Sequence, residues 1–171
     1  LANTAYLSEE QQLFRLYEIY KSGAPDPLDS FADFCGWAST LLIDFSEIDQ
    51  YLADAQKLFS YLQDYKKLSE WNPTDEPNEL LSSYVKFWKS LYPMYEQFKD
   101  SLSQDHLGTR GMVYRKAVEE VDHYLEKHPY TKFVFVGFNA LNKAEELLFQ
   151  HFLERGRAKI YWDIDSYILN D

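Results

Sequence analysis

The chain has 171 residues, of which 46% are hydrophobic and 18% aromatic, so it can form a folded core and is not a disordered segment. Its net charge is −11, and residues 1–105 carry 18 acidic against 8 basic side chains. This part is therefore a poor surface for nucleic-acid phosphates, which need clustered Lys and Arg. A protein partner suits it better, although a solvated helical surface explains the same charge.

The single cysteine and the short apolar runs bear on the compartment. Cys35 has no second cysteine to pair with, which favours a reducing compartment, so we expect a cytoplasmic protein. The longest uncharged apolar run, residues 133–142, is too short to cross a bilayer, and we expect no membrane partner. The chain starts without methionine, and we expect it to be part of a longer protein.

Apolar residues at helical spacing predict four helices in the first part of the chain. The first begins after Ser8, with Gln11 at the capping-box spacing, and ends at Gly23. Its apolar face comprises Leu13, Phe14, Tyr17 and Tyr20. The second begins near Ser30, and we expect Cys35 to be a buried core thiol on its apolar face. That face comprises Phe31, Phe34, Cys35, Ala38, Leu41, Leu42 and Phe45.

The third and fourth helices show the spacing of a helix–helix seam. The third is predicted from near Ser46 to Tyr65, and the polar segment 69–79 separates it from the fourth. We expect an antiparallel helical hairpin. Four of its residues should be buried across one seam: Leu58, Leu62, Trp88 and Leu91.

The spacing of apolar residues changes from that of a helix to that of a strand after a fifth predicted helix, which ends at Pro129. The run "KFVFVGF" is typical of a strand covered on both faces. A helix from Lys143 to Glu154, capped by Asn142, and the strand "AKIYWD" complete a βαβ unit with parallel strands. The predicted fold is mainly α with a small α/β part: a helical subdomain over 1–128 and a βαβ unit over 129–171. Two strands are too few for an open sheet, so we expect its remainder to lie outside this chain.

The carboxyl ends of the two strands are where an open α/β sheet binds ligands. Gly137, Phe138 and Asn139 follow the first strand, and Asp163 and Asp165 follow the second. A nucleotide-hydrolysing site needs an acid after the first strand to hold Mg²⁺, and glycine and phenylalanine cannot do this. A phosphate-binding loop is also missing. The sequence therefore predicts no catalytic residue and no cofactor in this chain.

The sequence also contains residues that two other kinds of site would use. Asp163 and Asp165 could hold Mg²⁺ or supply an aspartyl nucleophile for a phosphotransferase, but we expect them to cap the next turn and lie in solvent. The phosphotransferase would also need a Thr or Ser and a Lys on later strands. The four histidines show no metal-ligand spacing, and we expect no metal site: His106, His123, His128 and His151.

The segment "FVFVGFNALNKAEELLFQHFLERGRAKIYWDID" resembles the region around motifs II and III of UvrD/RecB-type superfamily-one helicases. In that family the first strand ends in Asp-Glu and the second in Gly-Asp-x-x-Gln. Here Gly137 and Phe138, followed by Asn139, occupy the motif II positions. Asp163, Asp165 and Ser166 stand at motif III, with Ser166 in place of Gln. The form "VGFNALNKAEELLF" is more similar to the inactivated helicase half of AddB-type proteins.

This resemblance covers about residues 108–171 and implies a function for the parent protein. AddB-type proteins keep a helicase scaffold without ATP hydrolysis and carry a PD-(D/E)XK nuclease domain further along the chain. It implies that residues 1–128 are the helical subdomain inserted ahead of motif II, and that the parent processes double-strand DNA ends in recombinational repair. The partners implied are the remaining parent domains, a helicase-nuclease partner subunit, and DNA through the parent. The alternative is a stand-alone acidic helical protein-interaction module.

We expect the motif II positions to serve packing. Glycine at 137 would let a neighbouring backbone come close, and Phe138 would fill space that phosphates and Mg²⁺ occupy in an active relative.

Overall fold

A computed structural model describes residues 4–23, 29–62 and 79–163, with side chains in the last range from residue 85 onward. The described residues form a mainly α fold with a small α/β part, as predicted. The helices are α1 (Glu9–Gly23), α2 (Phe31–Gln50), α3 (Ala55–Leu62), α4 (Glu79–Gln104), α5 (Arg110–Lys127) and α6 (Lys143–Glu154). The strands are β1 (Ala5–Tyr6), β2 (Leu107–Gly108), β3 (Phe133–Phe138) and β4 (Ala158–Trp162).

The strands form two separate parallel pairs. β3 pairs with β4 in the register Phe133 with Ala158, which confirms the predicted parallel βαβ unit. β1 pairs with β2 and brings the start of the chain beside the α4–α5 connection. The sequence analysis missed this short pair because two residues are too few to show a strand period.

The helix caps follow the predicted local signals. The Ser8 backbone N–H donates to Gln11 Oε1 over 3.1 Å, and the Gln11 N–H donates to Ser8 Oγ over 3.4 Å, which confirms the capping box of α1. Asn142 caps α6 in the same reciprocal way with Glu145. The caps satisfy backbone donors that a helix start leaves unpaired.

The predicted start of the third helix, near Ser46, is wrong. α2 continues through Ser46 to Gln50, the backbone turns at Leu52 with φ of 55°, and α3 begins only at Ala55. The turn changes the phase of the apolar face, so Phe59 is the buried residue of α3. Leu58 and Leu62, predicted at the seam, remain 39% and 38% exposed. The predicted helix end at Tyr65 lies outside the described residues.

The main core lies between α1, α2, α3 and α4. Its buried residues are Leu16, Phe34, Ala38, Leu41, Leu42, Phe45, Ile48, Phe59, Leu91, Met94, Tyr95, Phe98 and Leu102. The predicted face of α2 is largely confirmed, but Cys35 is only half-buried and not a fully buried thiol. In α1 the fully buried residue is Leu16, whereas Phe14, predicted to be buried, is exposed and stacks on Phe31.

A second, smaller core joins α5 and α6 to the β3–β4 sheet. Val121, Leu125 and Phe152 are its buried members, and Phe133 and Phe135 of β3 pack against them. The amino-terminal part of α5 docks instead on α2, where the Gly111 N–H donates to Ser46 Oγ over 3.1 Å. α5 thus contacts both cores and crosses from the helical layer to the sheet.

Strand β3 is covered on one face only among the described residues. Phe133 and Phe135 face the helices, while Val134 and Val136 are exposed on the other face. The expectation that this strand is covered on both faces is therefore not met among the described residues.

Candidate functional site

The end of β3 is shaped by a glycine in the left-handed region of backbone space. Gly137 has φ of 82°, and the β3–β4 register shifts between Val136 and Phe138. A Cβ placed on Gly137 would meet no atom within 4 Å. The expectation that glycine allows a close backbone approach is therefore wrong: the positive φ is what favours glycine here, since other residues are strained in it.

The side chain of Phe138 packs on α6. Its ring lies 5.0 Å from the ring of Phe149 at 90° and 6.4 Å from that of Phe135 at 78°. Such edge-to-face pairs stabilise beyond the area that they bury. Asn139, predicted from the resemblance as the third motif II position, is exposed. The positions where the resembled helicases carry Asp-Glu thus hold a glycine in the left-handed region and an aromatic ring packed on a helix.

The second strand end holds one described acid. Asp163 is exposed, and its backbone N–H donates to the Phe138 carbonyl over 2.9 Å, which ties the two strand ends together. The other predicted motif III positions, Asp165 and Ser166, lie outside the described residues. Within the described part of the chain, no three His, Cys, Asp or Glu side chains are grouped to hold a metal ion.

A buried polar cluster, which the sequence analysis missed, joins α2, α4 and α5. Asp49 is 1% exposed, and its Oδ1 accepts from Arg115 Nε over 2.7 Å and from the Tyr95 hydroxyl over 2.8 Å. Lys99 Nζ lies 3.4 Å from the same oxygen. Two cations and one hydroxyl therefore compensate the charge that burial would otherwise make costly.

Arg115 also hydrogen-bonds to backbone carbonyls at the carboxyl end of α2. One of its nitrogens, Nη2, donates to the carbonyls of Ile48 over 3.0 Å and Ala53 over 2.8 Å. A cation at a helix carboxyl end also interacts well with the helix dipole. One sequence signal could have revealed the cluster: Asp49 follows Phe45 and Ile48 on the apolar face of α2, where a charged residue needs a partner.

The cluster also changes the ionisation of its tyrosine, Tyr95. Burial, followed by the charge of Asp49 and the hydrogen bond to it, raises the pKa of the Tyr95 hydroxyl above its ordinary value. The hydroxyl is thus held as a neutral donor to a carboxylate. This arrangement suits a structural lock between three helices better than a proton-transfer site.

Comparisons of the chain with family models, curated proteins and solved structures found no match. No helix among the described residues has the length and apolarity needed to span a membrane.

An apolar groove of about 690 Å³ lies between α2, α3 and α4. Trp37, Leu58 and Phe87 are among the apolar side chains that line it, and the exposed acids Asp44 and Glu47 stand along the α2 side. No described residue forms an ion pair with either acid. The groove could accept an apolar segment that carries basic side chains.

Proposed function

We propose that this chain is a non-catalytic scaffold segment of an AddB-like, PD-(D/E)XK nuclease-family protein that processes double-strand DNA ends in recombinational repair. In this proposal the parent is cytoplasmic, its nuclease site lies in another domain, and the chain contacts the other parent domains. A helicase-nuclease partner subunit and DNA bind through the parent.

The observation that carries the proposal is the end of strand β3. A helicase of the resembled class places two acids there for Mg²⁺ and for the attacking water. Here Phe138 packs on Phe149 of α6, and Gly137 has no side chain to offer a metal. The strand, helix and parallel strand have the order that such a helicase half would have, and packing residues stand at the strand end in place of acids, which supports the proposal of an inactivated helicase half.

The first experiment addresses ATP. Calorimetric titration of this chain with Mg-ATP is expected to give no binding heat. Binding at micromolar ATP would contradict the idea that the helicase half is inactive.

The second experiment addresses the parent. The longer protein that contains this chain is incubated with linear duplex DNA and, as a control, with covalently closed circular DNA of the same sequence. We expect degradation of the linear DNA alone, because the circle offers no end. A parent that degrades neither substrate, alone or with its partner subunit, would exclude the proposed role.

The groove between α2, α3 and α4 favours a second candidate, an acidic protein-interaction module. Its apolar lining and the acids Asp44 and Glu47 suit a basic amphipathic segment. The reading frame separates the two candidates: a nuclease motif downstream supports the scaffold, and a stop codon directly after Asp171 supports the module.

A further inference from the structure

The sheet of β3 and β4 has one uncovered apolar face. Val134, Val136 and Tyr161 are 63%, 65% and 56% exposed on it, whereas α5 and α6 cover the opposite face. The pairing of Val136 with Tyr161 places two of them side by side, and the pairing of Val134 with Lys159 places one lysine on the same face, toward its amino end. Parallel sheets occur almost only with both faces covered, and a two-stranded sheet is marginal alone. This outer face therefore resembles a sheet face that is normally buried under a second layer.

The sequence of β3 supports the same conclusion. A strand with one solvated face alternates apolar and polar residues, whereas β3 reads Phe-Val-Phe-Val without a polar residue. The two valines are thus residues of a buried strand, although the described chain leaves them exposed. A covering layer would remove from water the apolar area that the valines expose.

Charges at the two ends of the face indicate how the covering element runs. Lys132 and Lys159 are exposed toward the amino ends of β3 and β4, and Asp163 is exposed just past the carboxyl end of β4. A helix carries partial positive charge at its amino end and partial negative charge at its carboxyl end. A helix antiparallel to the strands would set its amino end near Asp163 and its carboxyl end near the lysines.

We propose that the outer face of β3 and β4 receives an amphipathic helix from the remaining α/β domain of the same longer protein, antiparallel to the two strands. Crossover helices between parallel strands have this orientation. The inference rests on the proposed function, which makes this chain part of a larger protein. A second copy of the chain is the competing occupant.

Thiol labelling tests the proposal. Val136→Cys is introduced in a Cys35→Ser background, and the rate of alkylation by a maleimide is measured in the 171-residue chain and in the longer protein. Glu126→Cys, on the exposed side of α5, is the matched control. We expect the rate at position 136 to fall at least tenfold in the longer protein, while position 126 reacts at similar rates in both.

Each outcome decides something. Equal rates at position 136 in both proteins would overturn the inference, even if the longer protein degrades DNA ends. Protection at position 136 without DNA-end degradation would retain the inference and reject the proposed function. Protection that appears in the 171-residue chain as its concentration rises, together with a dimer in sedimentation, would assign the face to a second copy.

A second variant provides a stability readout. Val136→Asp should leave the Tm of the 171-residue chain nearly unchanged, because the side chain is largely exposed there. In the longer protein it should lower the Tm of the domain that holds the sheet, because a charge would then be buried. An equal Tm change in both proteins would overturn the proposal.

Discussion

Arg115 and Asp49 lie 66 residues apart in the chain and form an ion pair in which Arg115 Nε donates to the buried Asp49 Oδ1 over 2.7 Å. The pair joins α5 to α2, and the same arginine completes the carboxyl end of α2. It therefore links the docking of α5 to the main helical core.

Removing the arginine should destabilise the fold strongly. Arg115→Met leaves a buried carboxylate with Tyr95 and Lys99 only, and breaking a buried pair costs about 3–5 kcal/mol, with the lower end expected here. Urea unfolding followed by circular dichroism measures the change. The control is Arg15→Met, whose pair with Asp105 is 2.6 Å long but exposed and should contribute about 0–1 kcal/mol. Equal losses in the two variants would show that the Asp49 cluster is not a lock.

The contact between α2 and α5 requires a glycine. A Cβ on Gly111 would overlap the carbonyl oxygen of Ser46, a backbone atom that cannot rotate away. Gly111→Ala should therefore reduce the free energy of unfolding by an amount typical of overpacking, about 1–3 kcal/mol, and so lower the Tm. Gly36→Ala is the matched control, since its Cβ meets nothing within 4 Å inside α2 and should stabilise by about 0.5–1 kcal/mol. Two variants with the same Tm would contradict the close approach.

The observed orientation of α3 predicts different stability losses for Phe59 and Leu62 when each is replaced by alanine. Phe59 is 3% exposed and contacts Tyr92 and Tyr95, so Phe59→Ala should cost about 3–5 kcal/mol. Leu62 is more than a third exposed, and Leu62→Ala should cost clearly less than the about 2–5 kcal/mol of a buried leucine. Chemical denaturation of both variants checks the order. A larger loss for Leu62→Ala would restore the seam predicted from sequence.

Two acids placed at the end of β3 should not create nucleotide chemistry. In Gly137→Asp with Phe138→Glu, a positive φ strains the aspartate and the lost ring contacts with Phe149 weaken the second core, so stability falls. Thermal unfolding with and without Mg-ATP is the measurement. Gly137→Asn is the milder control, since asparagine tolerates the left-handed region better. Stabilisation of the double variant by Mg-ATP would reveal a nucleotide site.

The Tyr95 hydroxyl should make stability fall in alkali. Its pKa in the folded state is raised above the ordinary value of 10.0, so its contribution is complete below that pH and is lost as the pH rises through the folded-state pKa. Tyr95→Phe should unfold more easily at neutral pH, yet show a shallower loss of stability above pH ~10. Tyr130→Phe, at an almost fully exposed position, should keep the wild-type slope. An unchanged slope in Tyr95→Phe would contradict the raised pKa.

The sequence alone determined what depends on neighbours along the chain. The capping residues Ser8 and Asn142 and the βαβ order were predicted correctly, because caps and residue periods are local properties. That Gly137 and Phe138, and no acids, stand at the end of the first strand is also visible in the sequence alone.

Tertiary structure decided what depends on residues far apart. The turn at Leu52 reset the phase of α3, so Phe59 and not Leu62 fills the core. The partners of Asp49 come from two other helices, and no local pattern indicates which cations will reach it. The uncovered face of β3 likewise depends on which helices pack on the sheet. A run of apolar residues predicts that a strand is buried, but it does not indicate which element covers each face.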